Sequence, residues 1–160
     1  MGQTNVRLGD MLIKKGWLNQ ERLDQALQEQ KTTRKFLGSI LVERRFITER
    51  QLVQVLSEQF RMPCVSLANC YVDWELVAKF SSSLISEQKC FPLSDDGSCV
   101  TFAITNPLDA LAMGEAGRQA KNRAAKFVLA LQSEMDELLQ RYRKEINVRI
   151  RHSLDDLLKD

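Results

Sequence analysis

Two glycines and two glutamines recur at one spacing in the first third of the chain, where neither type builds a core. Gly9 and Gly38 lie inside expected helices, just behind Arg7 and Phe36, while Gln30 and Gln59 end the second helix of each copy. A helical glycine costs about 1 kcal/mol relative to alanine, so two at matching positions imply a close approach to the backbone. A ligand and a packed neighbouring helix account for that approach equally well. Arg7 stands near a helix N-terminus, where unpaired N–H groups and the macrodipole favour an anion. Its guanidinium can grip a phosphate bidentately or stack on a flat base. The glutamine amides suit a nucleobase edge or a phosphate oxygen, and equally suit solvent.

These positions coincide because residues 7–30 are written again at 36–59, without a gap and offset by 29. Eight of the 24 aligned positions are identical: Leu8/Leu37, Gly9/Gly38, Leu12/Leu41, Leu23/Leu52, Gln25/Gln54, Leu27/Leu56, Glu29/Glu58 and Gln30/Gln59. A repeat of this length predicts two copies of one helix–turn–helix unit stacked on each other. Leu8, Met11, Leu12 and Lys15 follow a helical spacing that Gly16 stops. Asn19 then caps a second helix with Leu23, Ala26 and Leu27 on one face. Thr48 and Gln51 have the spacing of a capping box. The polar linker KTTRK (31–35) is expected to turn the chain around.

Beyond Met62-Pro63 the periodicity changes. Residues 65–67 read as a short extended piece, followed by two brief helices at 73–80 and 83–88. Residues 90–93 and 98–104 read as strands of a hairpin around Asp95-Asp96-Gly97. Asn106-Pro107 is expected to open a helix reaching about Ala120, and 126–131 (KFVLAL) is a third strand. Ser133 with Asp136 is expected to cap a long final helix, while SLDDLLKD (153–160) has a start of its own. The expected fold is α+β: a four-helix tandem helix–turn–helix repeat over 1–61, then a small ββαβα domain over 62–145. Residues 146–160 form a helical tail or linker.

The net charge of +2 divides as +4 over residues 1–61, −5 over 62–115 and +3 over 116–160. That balance is too mild to indicate a nucleic-acid polymer, though the first section would welcome an anion. Cys64, Cys70, Cys90 and Cys99 have no CxxC spacing, and His152 is the only histidine. Reduced, mostly buried thiols are expected rather than a metal site. No apolar stretch approaches the roughly 20 residues that span a bilayer. The N-terminus has no charged-then-apolar signal, so the expected location is cytoplasmic.

The pattern RLGxxLxxxGxLxxxxLxxALxxQ, a five-residue spacer and a second copy resemble the N-terminal domain of type II secretion and type IV pilus assembly ATPases. Within it the match is to the MshEN, or GspE-N, type. Met62-Pro63-Cys64-Val65-Ser66-Leu67, Phe91-Pro92-Leu93 and the run AITNPLD at 103–109 resemble further segments of that family. The resemblance spans residues 7–143 and implies a cyclic di-GMP site built by the two motifs. It implies that Arg7 contacts a guanine and a phosphate, that Leu8, Leu23 and Leu27 pack on the ligand, that Gly9 brings N–H groups close, and that Gln30 completes motif one. Leu37, Gly38, Leu52, Leu56 and Gln59 take the matching roles in motif two. Two positions depart from the pattern. Phe36 replaces the arginine of motif two, which removes a cation but leaves a ring able to stack. Arg45 stands where the turn glycine belongs, so the turn is expected to be strained or reshaped. Arg34, Arg44 or Arg45 could supply the missing charge.

The implied function is regulatory and non-catalytic: sensing cyclic di-GMP and passing the signal to a secretion or pilus ATPase domain or an inner-membrane platform protein. The location would then be peripheral to the inner membrane through a protein partner. The alternative is a ligand-free structural adaptor docking the ATPase on its platform, with Gly9 and Gly38 serving packing. A DNA-reading role is disfavoured because no helix has an Arg/Lys/Asn-rich face. The chain has no GxxxxGK loop and no nucleophile–base pair, so no enzyme is expected. Asp95-Asp96 is read as a hairpin tip rather than a metal or acid site.

Overall fold

The computed structural model describes residues 7–159. Residues 1–6 and 160, the outer ends of the first and last expected segments, lie outside them. The fold is α+β, and the chain divides between Cys64 and Val65 into two compact units.

The first unit holds four helices: α1 (Leu8–Lys14), α2 (Gln20–Thr33), α3 (Leu37–Glu43) and α4 (Glu49–Phe60). Both helix–turn–helix copies turn in the same way. Trp17 N–H bonds to Leu12 O at 3.0 Å and Gly16 N–H to Ile13 O at 2.9 Å; Phe46 to Leu41 and Arg45 to Val42 repeat the pattern, each at 2.9 Å. This paired closure of the last carbonyls is a Schellman motif. It requires a left-handed residue, supplied by Gly16 at φ +74° and by Arg45 at φ +58°. The second turn is therefore kept, with a side chain held in the strained region. Asn19 caps α2 by accepting the Arg22 N–H, and Thr48 and Gln51 form the full capping box of α4. The linker is shorter than expected, because helix continues through Lys31 to Thr33 and only Arg34 to Phe36 turn the chain. Leu12, Ala26, Ile40, Leu41 and Val55 are fully buried between the helices.

The second unit begins with the short piece expected at 65–67, which forms no strand of the sheet but follows a single bridge residue at Cys64. It is pinned at Val65, whose N–H reaches Leu129 O at 2.8 Å. Glu134 fixes it further by accepting the Leu67 N–H and the Ser66 hydroxyl. A single helical turn, α5 (Trp74–Val77), and a wide π-helical turn (Ser83–Glu87) follow. Strands β1 (Phe91–Asp95) and β2 (Cys99–Ile104) are antiparallel. Helix α6 (Ala110–Gln119) then crosses over to β3 (Ala124–Leu129), which runs parallel to β2 and makes β2 the centre of the sheet. Pro92 is accommodated on β1 because that strand is an edge and a bulge follows before Ser94. Phe102 on β2 packs edge-on to Phe80 and stacked on Phe127, with centroids at 5.2 and 5.8 Å.

Several expected element boundaries move: the helix expected at 73–80 is only Trp74–Val77, and the strand expected at 126–131 is Ala124–Leu129. Helix α6 starts at Ala110 rather than at Pro107, because Asp109 accepts the Ala112 N–H while Asn106 closes a turn on the Leu108 N–H. The last helix, α7 (Gln132–Leu157), begins after Leu131. Asp136, expected to assist a cap at Ser133, bonds to Gln132 and Lys89 instead. Helix α7 is also continuous over 26 residues. Ser153 does not open a new helix; its hydroxyl donates to Arg149 O at 3.0 Å, inside the old one.

Candidate functional site

The repeat builds the same arrangement twice: the start of a short helix, with the helix after it packed against its glycine. Neither α1 nor α3 has a side-chain cap, and Arg7 and Phe36 occupy the capping positions in extended backbone. Arg7 is exposed and Phe36 half-buried.

The glycines lie where the helices of each copy touch. A Cβ on Gly9 would stand 2.7 and 2.8 Å from the two methyl carbons of Leu23. One on Gly38 would stand 2.6 Å from both a Leu52 methyl and the Phe36 ring. The backbone is thus approached closely in both copies, by a leucine 14 residues onward. The Phe36 ring also lies over Gly38, at the position equivalent to Arg7.

The other expected ligand residues divide by burial. Leu8 and Leu23 are buried, and Leu56 is only 1% exposed and belongs to the core. Leu27, its counterpart in copy one, is 37% exposed. Leu37, Leu52, Gln30 and Gln59 are half-buried. The Gln30 amide donates to Lys35 O at 3.2 Å, tying the end of α2 to the linker.

Sequence reasoning missed the charges that join the copies. Lys15 of copy one pairs with Glu58 of copy two at 3.1 Å, and Arg44 of copy two pairs with Glu29 of copy one at 2.7 Å. Lys15 and Arg44 are equivalent positions, as are Glu58 and Glu29, so the two copies exchange one ion pair reciprocally. Arg22 of copy one adds a cation–π contact over Phe46 of copy two, 5.4 Å from the ring centroid. The bond to Glu29, and its charge, raise the Arg44 pKa further. Arg44 is therefore engaged in holding the repeat together, and Lys35 is likewise paired with Glu43. Arg34 and Arg45 are exposed, in left-handed backbone. The signal that would have found the crossed pairs is the offset itself, which sets opposite charges at reciprocal positions.

The acidic tip is structural. Asp96 accepts from the Ser98 N–H and hydroxyl and from the Cys99 N–H, which hold its carboxyl below the usual range. Asp95 accepts from the Gly97 N–H and pairs with Arg123. No helix among the described residues is long and apolar enough to cross a membrane.

The family model for the MshEN domain matches residues 60–146, downstream of both copies of the repeat. The type IV pilus assembly ATPase PilB of Thermus thermophilus is 32% identical over 141 residues, covering 88% of this chain and 15% of that protein. PilB of Myxococcus xanthus is 23% identical over 154 residues, covering 96% of this chain and 26% of that protein. The chain thus spans about a quarter or less of the curated relatives it matches. Among solved structures, MshE with cdg superposes at a TM-score of 0.75 with 28% identity, covering 85% of this chain and 98% of that one. The N-terminal domain of XpsE shares the fold at a TM-score of 0.70 and 20% identity, over 88% of this chain and 98% of its own.

Proposed function

This chain belongs to the MshEN domain family, and we propose that its repeat section binds cyclic di-GMP and conveys that signal to a pilus or secretion ATPase or its inner-membrane platform. The observation that carries the reading is the two-fold construction of the repeat: two helix starts without side-chain caps, each followed by a buried glycine, bound together by a reciprocal ion pair. A two-fold dinucleotide has two bases and two phosphates to offer two such half-sites. The likeness to MshE, solved with cdg, covers 85% of this chain, more than the sheet unit alone, and supports the same ligand.

In this reading Arg7 meets a phosphate or stacks on a guanine, and Phe36 gives copy two a stacking surface without a charge. A lost charge-assisted contact is worth about 1.5–3 kcal/mol, or one to two decades of affinity. The half-sites are therefore unequal, with copy one the stronger. No ATP chemistry belongs to this segment; its action on the ATPase is through docking.

Calorimetric titration of the wild-type chain beside Arg7→Ala and Phe36→Arg tests this. Arg7→Ala is expected to weaken cyclic di-GMP binding at least tenfold, and Phe36→Arg to tighten it. Absence of heat up to about 100 µM, a range that detects binding down to about −5.5 kcal/mol, would leave the ligand-free adaptor instead. One specific observation favours that second reading: Leu23 and Leu52 already fill the space at Gly9 and Gly38, so packing alone accounts for both glycines.

A further inference from the structure

Helix α7 carries an apolar stripe that continues past the body it packs on. Met135, Leu138, Leu139 and Tyr142 are buried. The same face runs on through Ile146, Ile150, Leu154 and Leu157, at steps of three and four residues. There Leu154 is 53% exposed and Leu157 73%, with Leu158 beside them at 84%. Within residues 146–158 the charges are sorted along the axis, Arg149 and Arg151 first and Asp155 and Asp156 after them, with Glu145 and Lys159 just outside at either end. At the basic end a groove of about 260 Å³ opens between α5 and α7, lined by Trp74, Val77, Tyr142 and Ile146 among others.

We propose that residues 146–158 pair antiparallel with the same segment of a second copy of this chain. Charge chooses this occupant and this direction. Antiparallel pairing brings the basic end of one helix beside the acidic end of the other, whereas parallel pairing sets like charge beside like. With Ile150 of one copy opposite Leu154 of the other, Leu158 of the second copy falls opposite Ile146, at the mouth of the groove. Arg149 then comes beside Asp156 of the second copy, and the two-fold axis makes that pair twice. Within its own chain Arg149 bonds to Glu145 at 2.9 Å and Glu75 at 3.4 Å, and Asp156 meets only Lys159, at 3.7 Å, among the ion pairs of the described residues. The paired segment is about 18 Å long at 1.5 Å per residue. Such an interface lies below the standard of about 800 Å² per partner, so the dimer is a weak one.

Sedimentation equilibrium of the whole chain over about 1–500 µM tests the proposal, with a dissociation constant on the order of 10–100 µM expected. Leu154→Lys and Asp156→Arg, both at exposed positions, are each expected to weaken association at least tenfold. Arg149→Asp combined with Asp156→Arg is expected to restore it to within threefold of wild type. Circular dichroism of each variant separates lost pairing from lost helix. A wild-type chain that is monomeric throughout overturns the proposal, as does an Asp156→Arg dimer of unchanged affinity. Failure of the double exchange to restore association, with helix content intact, overturns the antiparallel arrangement. The outcome is independent of cyclic di-GMP, so it stands or falls apart from the function proposed for the repeat.

Discussion

A left-handed arginine closes the turn of copy two where a glycine closes that of copy one, and both make the same hydrogen bonds. Holding an L-residue there costs about 1–2 kcal/mol, and glycine returns part of that gain through its freer unfolded chain, about 0.4–1 kcal/mol. Arg45→Gly is therefore expected to stabilise the fold by about 0.5–1 kcal/mol, raising the melting temperature by roughly 1–4 °C. No rise in thermal melts would show that Arg45 makes a compensating contact. Gly38 is the opposite case. Alanine there gains helix propensity of at most about 1 kcal/mol but forces both Leu52 and Phe36 aside, and overpacking costs about 1–3 kcal/mol. Gly38→Ala is expected to destabilise, and by more than Gly9→Ala, because Gly9 faces only the flexible end of Leu23. Denaturant titration of the two variants compares them directly.

At the scale of elements, local signals were legible wherever one residue decides. Gly16, Asn19, the Thr48–Gln51 box and the Asp-Gly hairpin each act within five residues, and each lies where its chemistry places it. Boundaries failed where several signals competed within one turn: Asn106, Pro107 and Asp109 all suit the start of α6, and Asp109 takes the cap while Asn106 closes a turn on the Leu108 N–H. Non-local facts were not legible, among them the parallel pairing of β3 with β2 and the crossed ion pairs of the repeat. In the candidate site, the glycines and their spacing were readable, but the sequence left open what approaches them, since a leucine and a ligand demand the same missing Cβ. The ion pairs can be weighed by a double-mutant cycle. Lys15 is 29% and Glu58 43% exposed, so their coupling is expected at about 0.2–1 kcal/mol and is expected to fade in high salt. Exchanging them, Lys15→Glu with Glu58→Lys, is expected to recover most of the stability that either single reversal loses. Equal loss in the double variant would mean that the stems, rather than the charges, tie the copies together.

For the whole molecule, folding is linked to pH through groups that burial holds neutral. Cys90 precedes β1 with its N–H bonded to Leu84 O, and burial pushes its thiol up to about 12, with the charge of Asp109 adding to the effect. Burial also raises the hydroxyl of Tyr142, whose ring packs edge-on to Phe91. Both groups have a higher pKa folded than unfolded, so the unfolded chain releases its protons first as pH rises. Stability is then full below the unfolded thiol value near 8.5 and falls as pH climbs toward 12. Each proton sets a limiting slope of about 1.4 kcal/mol per pH unit. Urea titrations at pH 7, 9 and 10 are expected to show stability falling across that window. Cys90→Ala lowers stability at every pH by the packing it removes, but is expected to flatten the decline above 8.5. An unchanged slope in that variant would remove the thiol as its cause. The same burial makes Cys90 inert to alkylation in the folded chain, whereas exposed Cys64 is expected to react at once. Labelling that reaches Cys90 only as urea unfolds the protein would tie the alkaline loss to opening of the sheet unit.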